Sequence, residues 1–344
     1  MSKGNKMPNG TDKMVAKRVA EDLGVSISTV SRAFSPTAVI ARGTRERVLA
    51  RAKELGYQPN PFAQSLITQR SRIAGIIVSD ITNPFYPEVL TGMTEALQNE
   101  GLNVMLFAGT SARGADDMVP LALRYRPDVI VVMAATISSR AAVEAAEAGT
   151  RVIFFNRYVP GVAALSVTCD NVLGGRQVAD HLIDLGHRRL AFVAGLLDAT
   201  TSVERWRGFA ERCAERGLPT PLKEEAGVFT HDTGYAAALR LLSLKDRPDA
   251  IFCANDILAL GALDAMASLG LKAPGDLSVV GFDDISMATW PSYSLTTYRQ
   301  PVRRMIAATM ELARQIIAGD GEPPQSRCIA GHLVERNTTR KRHE

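Results

Sequence analysis

Two sets of residues in this 344-residue chain carry chemistry by type and spacing. The first lies between Val19 and Phe34 (VAEDLGVSISTVSRAF), where Ser26, Ile27, Ser28, Thr29, Ser31 and Arg32 fall within one short segment. Hydroxyls and a guanidinium on a short helix suit phosphate and base-edge contacts; a helix that only packs would more often expose Glu and Lys. The second set follows short apolar runs. Asp80 and Asn83 come after Ile73–Val78, Asn156 and Arg157 after Val152–Phe155, Asn255 and Asp256 after Ala250–Ala254, and Asp283 and Asp284 after Leu277–Phe282. Phe85 adds an aromatic face, Asp170 precedes a crossover and Arg205 opens a helix. Planar aromatics with bidentate Asp, Asn and Arg suit a polyhydroxylated ligand. Each residue alone is as readily a helix cap or loop residue, Asp256 in particular; convergence on one cleft is what would make them a site.

No catalytic constellation accompanies these sets. His181, His187, His231, His332 and His343 lack metal-ligand spacing, and His187 in LGHRRLAFV reads as a turn cap before a strand. No glycine-rich phosphate loop opens a helix. Cys169, Cys213, Cys253 and Cys328 are scattered and read as buried small hydrophobes. The expectation is a binding protein without metal or cofactor.

The elements that must position these groups follow from periodicity. In the first segment Ala20 is small enough for two helices to cross closely, Gly24 accommodates the positive φ of a tight turn, and Ser26 can cap the second helix. Val25 and Val30 supply apolar anchors, completing the grammar of a helix-turn-helix. A third helix, Thr44–Leu55, sets Val48, Leu49, Ala52 and Leu55 on one face, and Gly56 ends it. After Tyr57–Asn60 a short piece, Pro61–Thr68, is too brief to be a stable helix on its own.

From Ile73 onward apolar runs alternate with amphipathic helices. Strands are expected at Ile73–Val78, Asn103–Phe107, Val129–Met133, Val152–Phe155, Arg189–Val193, Gly227–Thr230, Ala250–Ala254 and Leu277–Phe282. Helices are expected at Tyr86–Asn99, Gly174–Leu185, Arg205–Arg216, Gly234–Leu242 and Leu258–Leu269. The alternation predicts parallel sheets with right-handed crossovers, and its restart after Asp170 predicts two similar lobes. Such sheets bind ligands beyond the carboxyl ends of their strands, where the second polar set falls.

Composition fits two or three compact units in an ordinary soluble protein: 46% hydrophobic and 22% charged residues, with no apolar run long enough to span a bilayer. The polar start of the chain has no signal-peptide core, so cytoplasm is expected. The net charge of +4 is unevenly spread. Residues 1–72 hold 13 Lys and Arg against 5 Asp and Glu, and the remainder 27 against 31. A basic head on a mildly acidic body is what phosphate binding by one end requires.

GVSISTVSRAF, TRERVLARAKELGYQPNPFAQSL and GIIVSDITNPFY together resemble the lactose-repressor (LacI/GalR) family, from about residue 14 to 339. The resemblance implies an α/β protein: an all-α helix-turn-helix head, then a two-lobed effector domain like periplasmic sugar-binding proteins, with parallel sheets. It implies a tail over 1–12, a DNA-binding domain over 13–59, a hinge over 60–72 and an effector and dimerisation domain over 73–340. Lobe 1 would hold about 73–170 and 300–327, lobe 2 about 171–299 and 328–340. Val302–Ile317 would return to lobe 1 as a helix, and Cys328–Val334 would add a strand to lobe 2. By matched position, Ile27, Ser28 and Arg32 would meet base edges, while Ser26, Thr29, Ser31 and Asn60 would hold phosphates. Ala63 would face the minor groove and Leu66 would wedge into it. Arg157, Arg205, Asn255 and Asp283 would contact effector, with Asp80, Phe85 and Asp170 as weaker matches. The chain departs from the family at Asn156, where Asp is common before the arginine, and at Arg42-Gly43, which replaces a usual Pro-Glu helix start.

The implied function is a transcription regulator, a repressor, that binds operator DNA as a homodimer and responds to a sugar or related metabolite. The end of the chain has no leucine heptads, so a tail-built tetramer is not expected. Two other functions fit part of the pattern. A sugar-binding module would lack the basic head and the Gly24–Arg32 segment. A sugar kinase on a doubly wound fold would need the phosphate loop and base that the chain lacks.

Overall fold

The computed structural model describes residues 11–34, 38–58, 70–109, 114–133, 141, 151–161, 164–319 and 325–340. These form two compact units that divide between Ser71 and Arg72.

Among its described residues the first unit holds three helices: α1 (Thr11–Leu23), α2 (Ile27–Ala33) and α3 (Arg42–Glu54). Helix α1 thus begins two residues before the expected domain boundary. Its core is small, with Val19, Ala20, Val30, Ala33, Val48 and Ala52 buried and Leu23, Val25, Leu55 and Tyr57 packed around them. The Phe34 and Tyr57 rings meet edge to face at 5.6 Å, closing this core. Leu49, expected on the apolar face, is 39% exposed. Positions 48, 52 and 55 make the i, i+4, i+7 stripe, and residue 49 lies about 100° away from it. Arg51 on α3 reaches Asp22 on α1 at 2.5 Å. Asn60, Ala63, Leu66 and the Pro61–Thr68 segment lie outside the described residues.

The second unit is built on two six-stranded sheets. The first lobe contains β1 (Ile73–Val78), α4 (Phe85–Asn99), β2 (Asn103–Ala108), α5 (Ala115–Leu123), β3 (Val129–Met133), β4 (Val152–Phe155) and β5 (Leu165–Cys169). The second contains α6 (Asn171–Asp184), β6 (Leu190–Ala194), α7 (Thr200–Glu215), β7 (Leu222–Glu225), α8 (His231–Leu242), β8 (Ala250–Cys253), α9 (Asp256–Ser268), β9 (Ser278–Asp283) and β10 (Thr296–Arg299). Helix α10 (Val302–Ala318) and strands β11 (Arg327–Ile329) and β12 (His332–Val334) complete the fold. The orders are β11-β5-β4-β3-β1-β2 and β12-β10-β9-β8-β6-β7, the same winding twice. Among the described residues every pairing is parallel except β10 with β12. Central strands such as IAGIIV are buried throughout because helices cover both faces.

Three expectations need correction. The edge strand beside β6 is Leu222–Glu225, not Gly227–Thr230; Ala191 pairs with Leu222. Its sequence LKEE is mostly exposed and carries no apolar signal. Strands β5 and β10 and helix α5 were not anticipated, since LSVTC and TTYR mix small and polar residues. The Cys328–Val334 segment does not join one sheet. Cys328 and Ile329 pair with β5 in the first sheet, and only His332–Val334 pairs with β10 in the second. The last crossing therefore falls at Ala330-Gly331. There a Cβ on Gly331 would stand 2.1 Å from the Arg299 carbonyl oxygen, so only glycine lets the strands pass.

Candidate functional site

In the first unit the turn works as its sequence dictates. Gly24 takes φ 62°, and the Ser26 hydroxyl accepts from the Thr29 backbone N–H at 3.1 Å, capping α2. Ser26 Oγ also lies 2.7 Å from Ser28 Oγ and 2.9 Å from Thr29 Oγ1, so the three hydroxyls cluster at the amino end of α2. Val30 and Ala33 point into the core, which leaves Ser26, Ile27, Ser28, Ser31 and Arg32 exposed and Thr29 half-buried. Ile27 is 47% exposed, an apolar side chain left in water on an otherwise polar face. Clustered hydroxyls at a helix amino terminus suit a phosphate, and an exposed aliphatic beside an arginine suits a base edge.

In the second unit a cavity of about 440 Å³ opens between the lobes at the carboxyl ends of the strands. Six of the seven expected effector residues line it: Asp80, Phe85 and Arg157 from the first lobe, Arg205, Asn255 and Asp283 from the second. Asp170 does not. It caps α6, accepting from the Leu173 N–H at 2.9 Å, and belongs to a different hollow. Asp256 is fully buried behind the cleft, where it accepts from Thr297 Oγ1 and from the Ile285 N–H at 2.9 Å. Asp284 is held by Arg299 and Arg336. Asn255 has a double use, since its Oδ1 caps α9 through the Leu258 N–H at 3.2 Å.

The cleft also uses residues that were not anticipated as contacts: Tyr86, Thr200, Thr201, Phe229 and Thr230. Helix α7 begins at Thr200, five residues before the expected start, so its amino end reaches the cleft. Phe229 and Thr230 sit after the true end of β7, where the strand-end rule would have found them had the strand been placed correctly. Asn156 Oδ1 and Thr200 Oγ1 are buried without a hydrogen-bond partner among the described residues. A buried acceptor left unpaired costs about 1–3 kcal/mol, which a hydroxylated ligand would recover. Asn156 (φ 66°), Asp283 (φ 123°) and Asp284 (φ 61°) hold left-handed backbone conformations, the kind of strain that collects at binding sites.

Arg205 is the best-fixed group here. Its Nε donates to Asn171 Oδ1 at 2.9 Å and its Nη1 to the Ala254 carbonyl at 2.6 Å. Nη1 lies 3.5 Å from Asp283 Oδ1, and the guanidinium carbon sits 3.6 Å over the Phe282 ring centroid. Gln300 Nε2 donates to the same Asp283 oxygen at 2.7 Å. Glycines let α6 and α7 approach closely enough for this arrangement. A Cβ on Gly175 would stand 2.3 Å from the Arg205 carbonyl oxygen, and one on Gly208 2.1 Å from that of Val172. Burial lowers the pKa of both Arg205 and Arg157, opposed by Asp283 and Tyr86 respectively. Burial raises Asp283 and Asp256 above the ordinary carboxylate range; Arg205 restrains the first, while Asp283 pushes the second further up. Among the described residues no helix is long and apolar enough to cross a membrane.

Comparison with known proteins agrees with this geometry. Residues 16–60 match the model of bacterial regulatory proteins of the lacI family, and residues 179–339 match a periplasmic binding protein-like domain. The HTH-type transcriptional regulator GalS of Salmonella typhimurium is 31% identical over 325 residues, 93% of this chain and 95% of its own. The lac repressor dimer bound to operator and the anti-inducer ONPF superposes with a TM-score of 0.83 at 26% identity, over 94% of this chain and 98% of that one. The CelR–cellobiose complex superposes at 0.72 with 30% identity, over 94% and 99%. A helix-turn-helix head, twin parallel sheets and matching relatives along almost the whole length make this chain a member of the lacI family of bacterial regulatory proteins.

Proposed function

We propose that the chain is a transcriptional repressor that binds a pseudo-palindromic operator as a homodimer and is controlled by a sugar or sugar derivative bound between its lobes. The observation that carries this reading is the meeting of Asp80, Phe85 and Arg157 with Arg205, Asn255 and Asp283 in one inter-lobe cavity. A ligand there touches both lobes, so it favours whichever lobe arrangement fits it better and shifts the balance between arrangements. The flat faces of Phe85 and Phe229 suit a sugar ring, and the carboxylates and amides suit its hydroxyls. On the head, Ile27, Ser28 and Arg32 read base edges while Ser26, Thr29 and Ser31, with Asn60, hold phosphates. Ala63 and Leu66 serve the minor groove. One short recognition helix reads too few base pairs alone, which is why a dimer is required. The lac repressor relative is a dimer on operator, and the CelR relative holds cellobiose.

A thermal-shift screen of mono- and disaccharides, sugar acids and nucleosides tests the cleft. A ligand at a hundredfold its Kd stabilises the native state by about 2.7 kcal/mol, a readily seen shift in melting temperature. A screen in which no compound moves the transition argues against a sugar effector.

A further inference from the structure

A chain of hydrogen bonds that starts outside the cleft and ends in its lining joins the two lobes. Tyr158 follows Arg157 in the first lobe, and its hydroxyl donates to Glu204 Oε1 at 2.8 Å. Glu204 Oε2 accepts from Asn171 Nδ2 at 3.2 Å, and Asn171 Oδ1 accepts from Arg205 Nε at 2.9 Å. Arg205 then meets Asp283, which Gln300 holds at the second-lobe end of a crossing. Tyr158 and Glu204 line a separate hollow of about 570 Å³ with Asp170, Arg207 and Cys328, and neither lines the effector cleft.

The placement is paired. Arg157 and Tyr158 are neighbours in the first lobe, and Glu204 and Arg205 are neighbours on α7 in the second. One member of each pair faces the cleft, and the other member joins the bond on the far side. A ligand that grips both arginines must act on the two backbone segments that carry the Tyr158–Glu204 bond.

We propose that Glu204 is a positioning residue: through Asn171 it fixes the plane of the Arg205 guanidinium, and through Tyr158 it ties that plane to the separation of the lobes. The Ala254 carbonyl, Asp283 and the Phe282 ring hold Arg205 within the second lobe, and the Nε side of its guanidinium is held most firmly while the lobes keep the spacing that the Tyr158 bond sets. A hydrogen bond to a charged carboxylate biases two such arrangements by about tenfold or more. The proposal rests on the reading of the cleft as an effector site, but its test needs no effector.

The full chain, labelled with ¹⁵N at arginine Nε, reports directly on the bond to Asn171; the Arg205 signal is assigned by its loss in Arg205→Lys. In Tyr158→Phe, which leaves Glu204, Asn171 and Arg205 in place, exchange of the Arg205 Nε–H with water should quicken by about fivefold or more. Tyr125→Phe, a substitution at an exposed tyrosine of the first lobe, should leave it unchanged. A double-mutant cycle of Tyr158→Phe with Arg205→Lys should depart from additivity by about threefold or more in the unfolding constant, although the two residues do not touch. The departure should vanish when Asn171→Ala is present in all four proteins. An unchanged exchange rate, an equal change in Tyr125→Phe, or an additive cycle overturns the relay while leaving the cleft reading intact. An empty ligand screen would do the opposite.

Discussion

Arg157 and Asp283 both face the cleft, yet their substitutions should behave differently. Arg157 is contributed by the loop after β4, and Arg157→Ala should weaken effector binding about tenfold or more while leaving operator affinity and folding nearly intact. Asp283 faces the buried Arg205 at 3.5 Å, so Asp283→Ala strands a charge and should cost about 3–5 kcal/mol of stability in a denaturant titration, whatever it does to the ligand. Equal stabilities for the two variants would contradict the assigned roles. Asp256 offers a pH test. Burial and the neighbouring Asp283 push its pKa up to about 7, so the native state holds this proton more tightly than the unfolded chain. The stability it contributes is therefore full below the ordinary carboxylate range and is lost as pH rises from about 4 towards 7. Asp283 is raised in the same window, so thermal melts should show a fall that is shallower, not absent, in Asp256→Asn; parallel curves would remove Asp256 as a source. On the head, Arg32→Ala should cost about 1–3 kcal/mol on specific DNA and relax preference at one base pair per half-site. An equal loss on random DNA would make Arg32 a phosphate contact only.

Elements were legible where hydropathy alone defined them. Ile73–Val78, Val129–Met133 and Val152–Phe155 are strands with the expected bounds, because each is an unbroken apolar run buried on both faces. The edges were not legible. LKEE at β7 pairs on one side only and lies mostly in water, so nothing in its hydropathy marks it. Phe229 and Thr230 follow this unmarked edge, and Thr200 opens α7 five residues before the Arg205 start that its sequence suggests. The polar residues after correctly placed strands led to Asp80, Arg157, Asn255 and Asp283 directly. Asp170 and Asp256 illustrate the limit of that rule: both lie shortly after a strand, and both spend their carboxylates on the protein itself. The α6–α7 contact was also hidden, since closeness of two helices shows only in three dimensions. Gly208→Ala sets a methyl against the Val172 carbonyl and should cost about 1–3 kcal/mol, read as a lower melting temperature. A neutral result would mean the helices can separate without loss, and that Arg205 is not fixed by their approach.

At the scale of the whole molecule, the same winding occurs twice, and the chain passes between the lobes after Cys169, after Arg299 and at Ala330-Gly331. Crossings of this kind are where hinge motion between lobes is accommodated in two-lobed proteins, and the cleft lies between the lobes they join. The charge asymmetry belongs to this scale as well: a head with 13 basic residues against 5 acidic ones within residues 1–72 suits attraction to any duplex, and in the proposed function the few groups on α2 supply choice. Control by ligand must then appear as a change in specific binding, since non-specific attraction does not depend on the lobes. The most direct measurement is a titration of operator DNA, selected from a random library by the full chain, with and without the compound that raises its melting temperature. The compound should change operator affinity tenfold or more, leave binding to random DNA unchanged, and lose this effect in Arg157→Ala. Operator affinity that is identical with and without a saturating cleft ligand would contradict it.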